Sequence, residues 1–194
     1  MTESRIPSHQ ATSHQATVPP AGRYRIDQAH SAVTFTTRHL FGLAPVRGMF
    51  EFRDGTIDVA KPVTGATVKA QVAAASFHTG NVARDSAVLS RSLLDAEAYP
   101  SLTFTSTALI KAAEQDQQDK EPRWLLRGEL TVRGVTRPVE ARVISCTSAT
   151  GAAFQLSAEL LIDRYDFGIT AYRGLAARRL TVRLDIRAER TDNS

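Results

Sequence analysis

Two histidines bracket the stretch "HSAVTFTTRHLFG" at residues 30–42. A histidine pair can share a metal ion or pass a proton. Here the residues between them rule out direct partnership. Apolar and polar side chains alternate, the beat of a β-strand, so successive residues face opposite sides. His30 is even and His39 odd, and a strand rising about 3.3 Å per residue holds the two rings about 30 Å apart. His39 shares parity with Val33 and Phe35 and belongs on or near the inward face, at the strand's end. A polar group there needs a hydrogen-bond partner or a mouth that water reaches. Two readings stay open: a satisfied structural histidine, or a polar fitting at the entrance of a cavity.

Three other groupings could carry chemistry. In "TGNVARD", Arg84 and Asp85 stand side by side near the start of a predicted helix. An arginine there opposes the helix dipole, which calls for a fixed partner, an acidic side chain or an anion. In "DRYDFGIT", Gly168 marks a bend, and Asp163, Arg164 and Asp166 can pair locally. In "AYRGLAARRL", Arg173, Arg178 and Arg179 lie close to Tyr172, a composition that suits an anionic head group or a plain solvated loop. The single cysteine, Cys146, excludes an intramolecular disulfide and any cysteine-cluster metal site. The sequence holds no nucleophile elbow, no Gly-rich phosphate loop and no HExxH.

The elements that must position these residues are strands. "SLTFTSTALI" sets Leu102, Phe104, Ala108 and Ile110 against three threonines. "WLLRGELTVR" sets Trp124, Leu126, Leu130 and Val132 against charged residues. "PVEARVIS" does the same with Val139, Ala141 and Val143, and "FQLSAELLID" with Phe154, Leu156, Ala158, Leu160 and Ile162. "LTVRLDIRAER" follows with Leu180, Val182, Leu184 and Ile186. Alternation this regular predicts sheets with one apolar and one wet face. Weaker strands fit around 48–52, 56–60 and 66–75. About eight strands on short links, with Gly134 turning a tight hairpin and Pro138 opening the strand after it, predict an antiparallel barrel or a sandwich. One segment breaks the beat. Val82, Leu89 and Leu93 fall at helical spacing, which predicts one inserted helix over 81–94 with Thr79 as its N-cap.

The inward positions are almost wholly apolar, and several are small: Ala108, Gly128, Ala141 and Ala158. A barrel of this size is filled by its side chains or holds one small ligand, and small residues favour the second. With 194 residues, 42% hydrophobic, the chain has room for one domain and its core. No run approaches the roughly 18 apolar residues of a membrane span. Residues 1–21, with "SHQAT" twice in tandem, read as a disordered tail, 22–190 as the domain and 191–194 as a tail. His9 and His14 in the repeat are too loosely held to imply more than weak metal capture. The first residues contain no apolar core of a secretory signal, which predicts a cytoplasmic protein.

Five stretches in order, "YRIDQAHSAVTFTTRHLFG", "RGMFEFRDGTID", "FHTGNVARDSAVLSRSLLDAEAYPSLTFTST", "GELTVRGVTRPVEARV" and "IDRYDFGI", carry a resemblance that spans about 24–169. The sequence resembles the YceI-like family, bacterial lipocalin-like proteins that bind polyisoprenoid lipids. The resemblance implies an all-β, lipocalin-like extended antiparallel β-barrel of about eight strands with an apolar tunnel. It also implies carriage or storage of a polyisoprenoid, isoprenoid quinone or similar lipid, no required cofactor and a homodimer. His30, His39, Arg84 and Asp85 match residue types of the family pattern. The basic loop at 171–180 departs from the acidic turn common there, which puts the head group in question.

The resulting reading is a non-catalytic lipid binder with no nucleic-acid partner and no stable membrane insertion. Val33, Phe35, Phe104, Trp124, Leu126, Phe154 and Leu156 are expected to line or approach the tunnel. His39, Arg84 or Arg173 would orient a polar head. The alternative is an enzyme or stress-response factor acting on a bound lipid, with a histidine as acid-base group. A nucleic-acid-binding barrel fits less well, because the aromatics fall on the apolar face rather than among the arginines.

Overall fold

The structure, a computed structural model, describes residues 18–39, 44–112, 124–148 and 151–191. Of Arg38, His39 and Ala44 it describes the backbone only. The SHQAT repeat and the charged loop at 114–122 lie outside the described residues.

The strands are β1 (Gly22–Ile26), β2 (Ala32–His39), β3 (Ala44–Phe50), β4 (Phe52–Val59), β5 (Thr67–Ala73), β6 (Ser101–Lys111), β7 (Trp124–Val132), β8 (Val135–Thr147), β9 (Ala153–Asp163) and β10 (Arg179–Arg190). One helix, α1 (Val82–Leu89), is inserted between β5 and β6. The sheet is antiparallel in the order β1-β4-β5-β6-β7-β8-β9-β10-β2-β3, and β1 pairs again with β10. That second pairing closes the sheet. β1 and β2 run along β10 at 188–190 and 181–185, two halves of one broken strand. β3 and β4 are likewise halves of the strand beside them. The result is the expected all-β closed antiparallel barrel with eight strand positions and a single inserted helix.

The break between β1 and β2 is where "DQAHS" sits. The Asp27 carboxylate accepts from the N–H groups of Ala29 and His30 at 3.0 and 3.3 Å, and His30 Nδ1 lies 2.6 Å from its other oxygen. This folds Gln28–His30 into a single 3-10 turn. Across the break, Ser31 Oγ donates to the Arg187 carbonyl at 3.2 Å and accepts from the Arg187 N–H at 3.0 Å. A hydroxyl thus replaces ladder bonds that the turn removes. His30 is an exposed part of a turn, remote in role from the far end of β2.

Glycines admit two aromatic rings into the barrel. A Cβ at Gly48 would run into the Phe35 ring, and one at Gly128 into the Phe104 ring. The room anticipated at Gly128 is therefore taken up by Phe104. The β7–β8 hairpin turns on Arg133 and Gly134, with φ of 51° and 72°, the doubly positive geometry that suits a strand-twisted two-residue turn. β8 begins there, at Val135, rather than at Pro138. Pro138 fits inside the strand because the 135–141 half of β8 has no β9 ladder beside it.

Two packed clusters close the barrel. One holds Tyr24, Ile26, Val33, Phe52, Ile57, Val59, Phe154, Ile186 and Ala188. The other joins Phe35 and Val46 to Phe77, Leu93, Leu94, Val132, Phe167 and Ile169. In the second, Phe77 from the inserted segment stacks on Phe35, with centroids 5.3 Å apart at 17°. The inserted segment thus caps the end where β5, β7 and β9 finish and β6 begins. The helix itself is shorter than expected. Asn81, not Thr79, caps it, accepting from the Arg84 N–H at 2.9 Å. Ser90 ends it, leaving helical angles while its hydroxyl donates to the Ala87 carbonyl. Leu93 and Leu94 are buried from the turns that follow, whereas Val82 is 83% exposed.

Candidate functional site

Cross-strand partners in a ladder share a face, so register alone marks the inward residues. Val33 pairs with Leu184, Leu184 with Ala158, Ala158 with Val143 and Val143 with Trp124. Phe35 pairs with Val182, which pairs with Leu160. Leu126 pairs with Ala141 on one side and Leu109 on the other.

On the wall made by β6, β7, β8 and β9, six inward apolar side chains are only half-buried: Phe104, Leu109, Trp124, Leu126, Val143 and Leu160. None is part of either packed cluster or among the side chains packed against them. Leu126, Val143 and Leu160 sit inside their strands, and their register turns them toward the barrel's interior. Nearer the capped end the same strands are packed: Leu102, Leu130, Val139 and Ile162 lie against the second cluster.

Of the residues singled out from sequence, Phe104, Trp124 and Leu126 come together on this wall. Val33 and Phe154 instead sit inside the first cluster, 6% and 4% exposed, with Leu156 packed against it. Phe154 meets Tyr24 edge-on at 4.9 Å. Phe35 belongs to the second cluster. His39 pairs through its backbone with Ala44, and its side chain lies outside the described residues.

Arg84 and Arg173 are at the capped end, away from the wall's open rim. Arg84 makes no ion pair among the described residues. Its neighbour Asp85 accepts from the Thr79 N–H at 3.1 Å and the Thr79 hydroxyl at 2.6 Å, with His78 Nδ1 at 3.3 Å. Thr79, expected as a cap, is the tether's other end. Asp163, Arg164 and Asp166 do not form the expected local set. Asp163 binds Arg178 at 2.6 Å. The buried Arg164 guanidinium donates to the carbonyls of Ala177, Ile169, Ala171 and Ala176 at 2.7–3.1 Å. Burial pulls its pKa below the usual arginine value. Arg173 lies over Tyr165, 5.2 Å from the ring centroid, rather than beside Tyr172.

Sequence reasoning missed Leu109 and Lys111. β6 carries a bulge between Ser106 and Ala108, which flips the alternation after it. Ala108 and Ile110, read as inward, pair with the outward Arg127 and Leu125, and Leu109 turns in. The Ser106 hydroxyl accepts from the Val68 N–H at 2.7 Å, satisfying backbone beside the irregularity. Lys111 then shares a register position with Trp124, its ammonium 5.5 Å from the ring centroid at the rim.

Cys146 packs against the first cluster, and burial pushes its thiol up to about 11, so it stays protonated at neutral pH. Among the described residues, no group of three His, Cys, Asp or Glu side chains could hold a metal ion. No helix among them is long and apolar enough to cross a membrane.

Comparison with known proteins matches residues 24–189 to the family described as the YceI-like domain. A UPF0312 protein of Pseudomonas savastanoi is 33% identical over 123 residues, which cover 61% of this chain and 59% of that protein. A UPF0312 protein of Pseudomonas putida strain GB-1 is 30% identical over 177 residues, 87% of this chain and 86% of that one. Protein YceI of Salmonella arizonae is 31% identical over 173 residues, 86% of each. Among solved structures, Burkholderia cenocepacia BcnA superposes with a TM-score of 0.70 at 20% identity, over 84% of this chain and 98% of that one. A polyisoprenoid binding domain from Saccharophagus degradans superposes with a TM-score of 0.66 at 14% identity, over 89% and 100%. At these identities the superpositions establish the shared fold.

Proposed function

The chain belongs to the YceI-like family, and from that membership we propose that its barrel holds the long apolar chain of an isoprenoid-class lipid without altering it chemically. The observation that carries this reading is the half-buried apolar wall of Phe104, Leu109, Trp124, Leu126, Val143 and Leu160 inside a closed barrel. A close-packed core buries such residues, and their partial exposure supports an interior with room for an apolar chain. The polyisoprenoid binding domain from Saccharophagus degradans, which shares the fold, supports the choice of ligand class.

Burying a prenyl chain yields about 25 cal/mol per Å² of apolar surface, before the costs of association are subtracted. Affinity then needs few polar contacts. Lys111, beside Trp124 at the rim, offers a polar head one cation.

Organic extraction of the purified protein followed by mass spectrometry tests the reading. A co-purified lipid of several isoprene units is expected, and the Phe104→Arg variant should carry much less of it. A protein that is reproducibly empty, with Phe104→Arg binding added geranylgeraniol as the parent does, would sink the proposal.

A further inference from the structure

The capped end of the barrel bears a surface that holding a lipid inside does not require. Tyr172 and Leu175, in the loop between β9 and β10, are 49% and 46% exposed. At the same end Val82 is 83% exposed and Tyr99 39%. Arginines lie at the same end: Arg91, Arg133 and Arg173 are exposed or half-buried and make no ion pair among the described residues. Two acids at this end are already engaged, Asp85 with Thr79 and His78 and Asp163 with Arg178. Asp95, Glu97 and Asp166 remain, against these three arginines together with Arg84 and Arg137, while Arg179 shares Asp163 at 3.9 Å.

The loop is held in shape rather than left to fluctuate. The four carbonyls bound by Arg164 all belong to residues 169–177. Arg173 and Arg178 both lie over the Tyr165 ring, at 5.2 and 5.1 Å. Tyr172 keeps a positive φ of 56°, uncommon for a bulky residue. Tyrosine and leucine presented on a fixed tip among arginines match the chemistry of an anionic membrane interface, where rings and aliphatics enter the acyl boundary and guanidiniums meet phosphates.

We propose that this tip docks the barrel onto an anionic lipid bilayer, reversibly and without spanning it. The docking goes beyond the lipid-carrier reading: the tip lies at the capped end, opposite the rim where Lys111 meets Trp124. Arginines near such a surface contribute about fivefold each to partitioning, and the contribution fades with salt.

The test is co-sedimentation of the full chain with phosphatidylcholine vesicles, with and without phosphatidylglycerol. Variants are first confirmed to melt as the parent does. The parent should pellet with anionic vesicles and be released by salt. Arg173→Gln should weaken binding about fivefold, and Tyr172→Ser with Leu175→Ser roughly tenfold or more. Ile144→Ser with Leu161→Ser, on the barrel's flank, should change nothing. Uptake of geranylgeraniol, read by fluorescence of the single tryptophan, Trp124, runs in parallel. A parent that takes up geranylgeraniol but ignores anionic vesicles overturns the docking and leaves the carrier reading standing. Docking without uptake does the reverse. Tip variants that lose a dimer in sedimentation velocity while keeping vesicle binding would assign the tip to a second copy and overturn the proposal.

Discussion

Asp85 stands next to Arg84 in sequence, yet its partners lie across a loop, at Thr79 and His78. Burial raises its pKa, but the hydrogen bonds from Thr79 and the fields of His78 and Arg84 outweigh that and hold the carboxyl below its ordinary value. A carboxylate whose folded pKa is depressed stabilises the fold above its unfolded pKa of about 3.9. That stabilisation is lost as pH falls through the folded value. Asp27, depressed by the hydrogen bond with His30 and the backbone N–H groups despite its own partial burial, acts in the same direction. The melting temperature of the parent should therefore drop as pH falls below about 4, and Asp85→Asn, which cannot titrate, should start lower and drop less. Parallel acid limbs in the two proteins would contradict the tether. The motif "TGNVARD", whose charged pair called for a fixed partner, acidic or anionic, is accounted for at Asp85 by a loop clasp.

At the scale of elements, the long strands were legible because each buries one face, so their composition alternates with the pleat. Two things were hidden. The first was the bulge in β6: nothing in "SLTFTSTALI" distinguishes a residue that pairs from one that is squeezed out, so the parity of Leu109 and Ile110 came out reversed. The second was β1 itself, and with it the break before β2 that side-chain bonds from Asp27 and Ser31 stitch. Helix length was over-read because Leu93 continued the helical spacing past Ser90, and what buries Leu93 is the cap's packing against Phe35 and Phe167. Close approach between β6 and β7 yields a sharp expectation. Gly128→Ala puts a methyl group where the Phe104 ring and the Thr105 carbonyl oxygen already sit. The backbone oxygen cannot swing aside, so the substitution should cost about 1–3 kcal/mol in denaturant unfolding. A neutral result would mean that the two strands separate more easily than their ladder implies.

Across the whole molecule some inward residues are packed in clusters and others are not, and that division decides which part of the site could be read beforehand. Apolar, inward and aromatic were visible in the sequence; packed or unpacked was not, because it depends on which wall faces which. Phe104, Trp124 and Leu126 were found together with Val33, Phe35 and Phe154, although the latter three lie in the packed clusters. The same division makes the lumen testable by volume. Val143 and Ala188 both face inward, but Val143 is half-buried on the β6–β9 wall, whereas Ala188 is 0% exposed in the first cluster. Added methylenes in a packed core cost about 1–3 kcal/mol through strained rotamers and backbone shifts. Ala188→Leu should show that loss. On the lipid-carrier reading Val143→Phe projects its ring into the lumen and should unfold within about 1 kcal/mol of the parent, the range of a tolerated hydrophobic swap. Its cost should appear in the ligand instead, as roughly tenfold weaker uptake of geranylgeraniol, since the ring and the prenyl chain compete for one apolar space. If Val143→Phe destabilises as much as Ala188→Leu, the β6–β9 wall is packed and the barrel has no room for a lipid. If it unfolds like the parent and still binds geranylgeraniol fully, the free space exists but the lipid lies elsewhere.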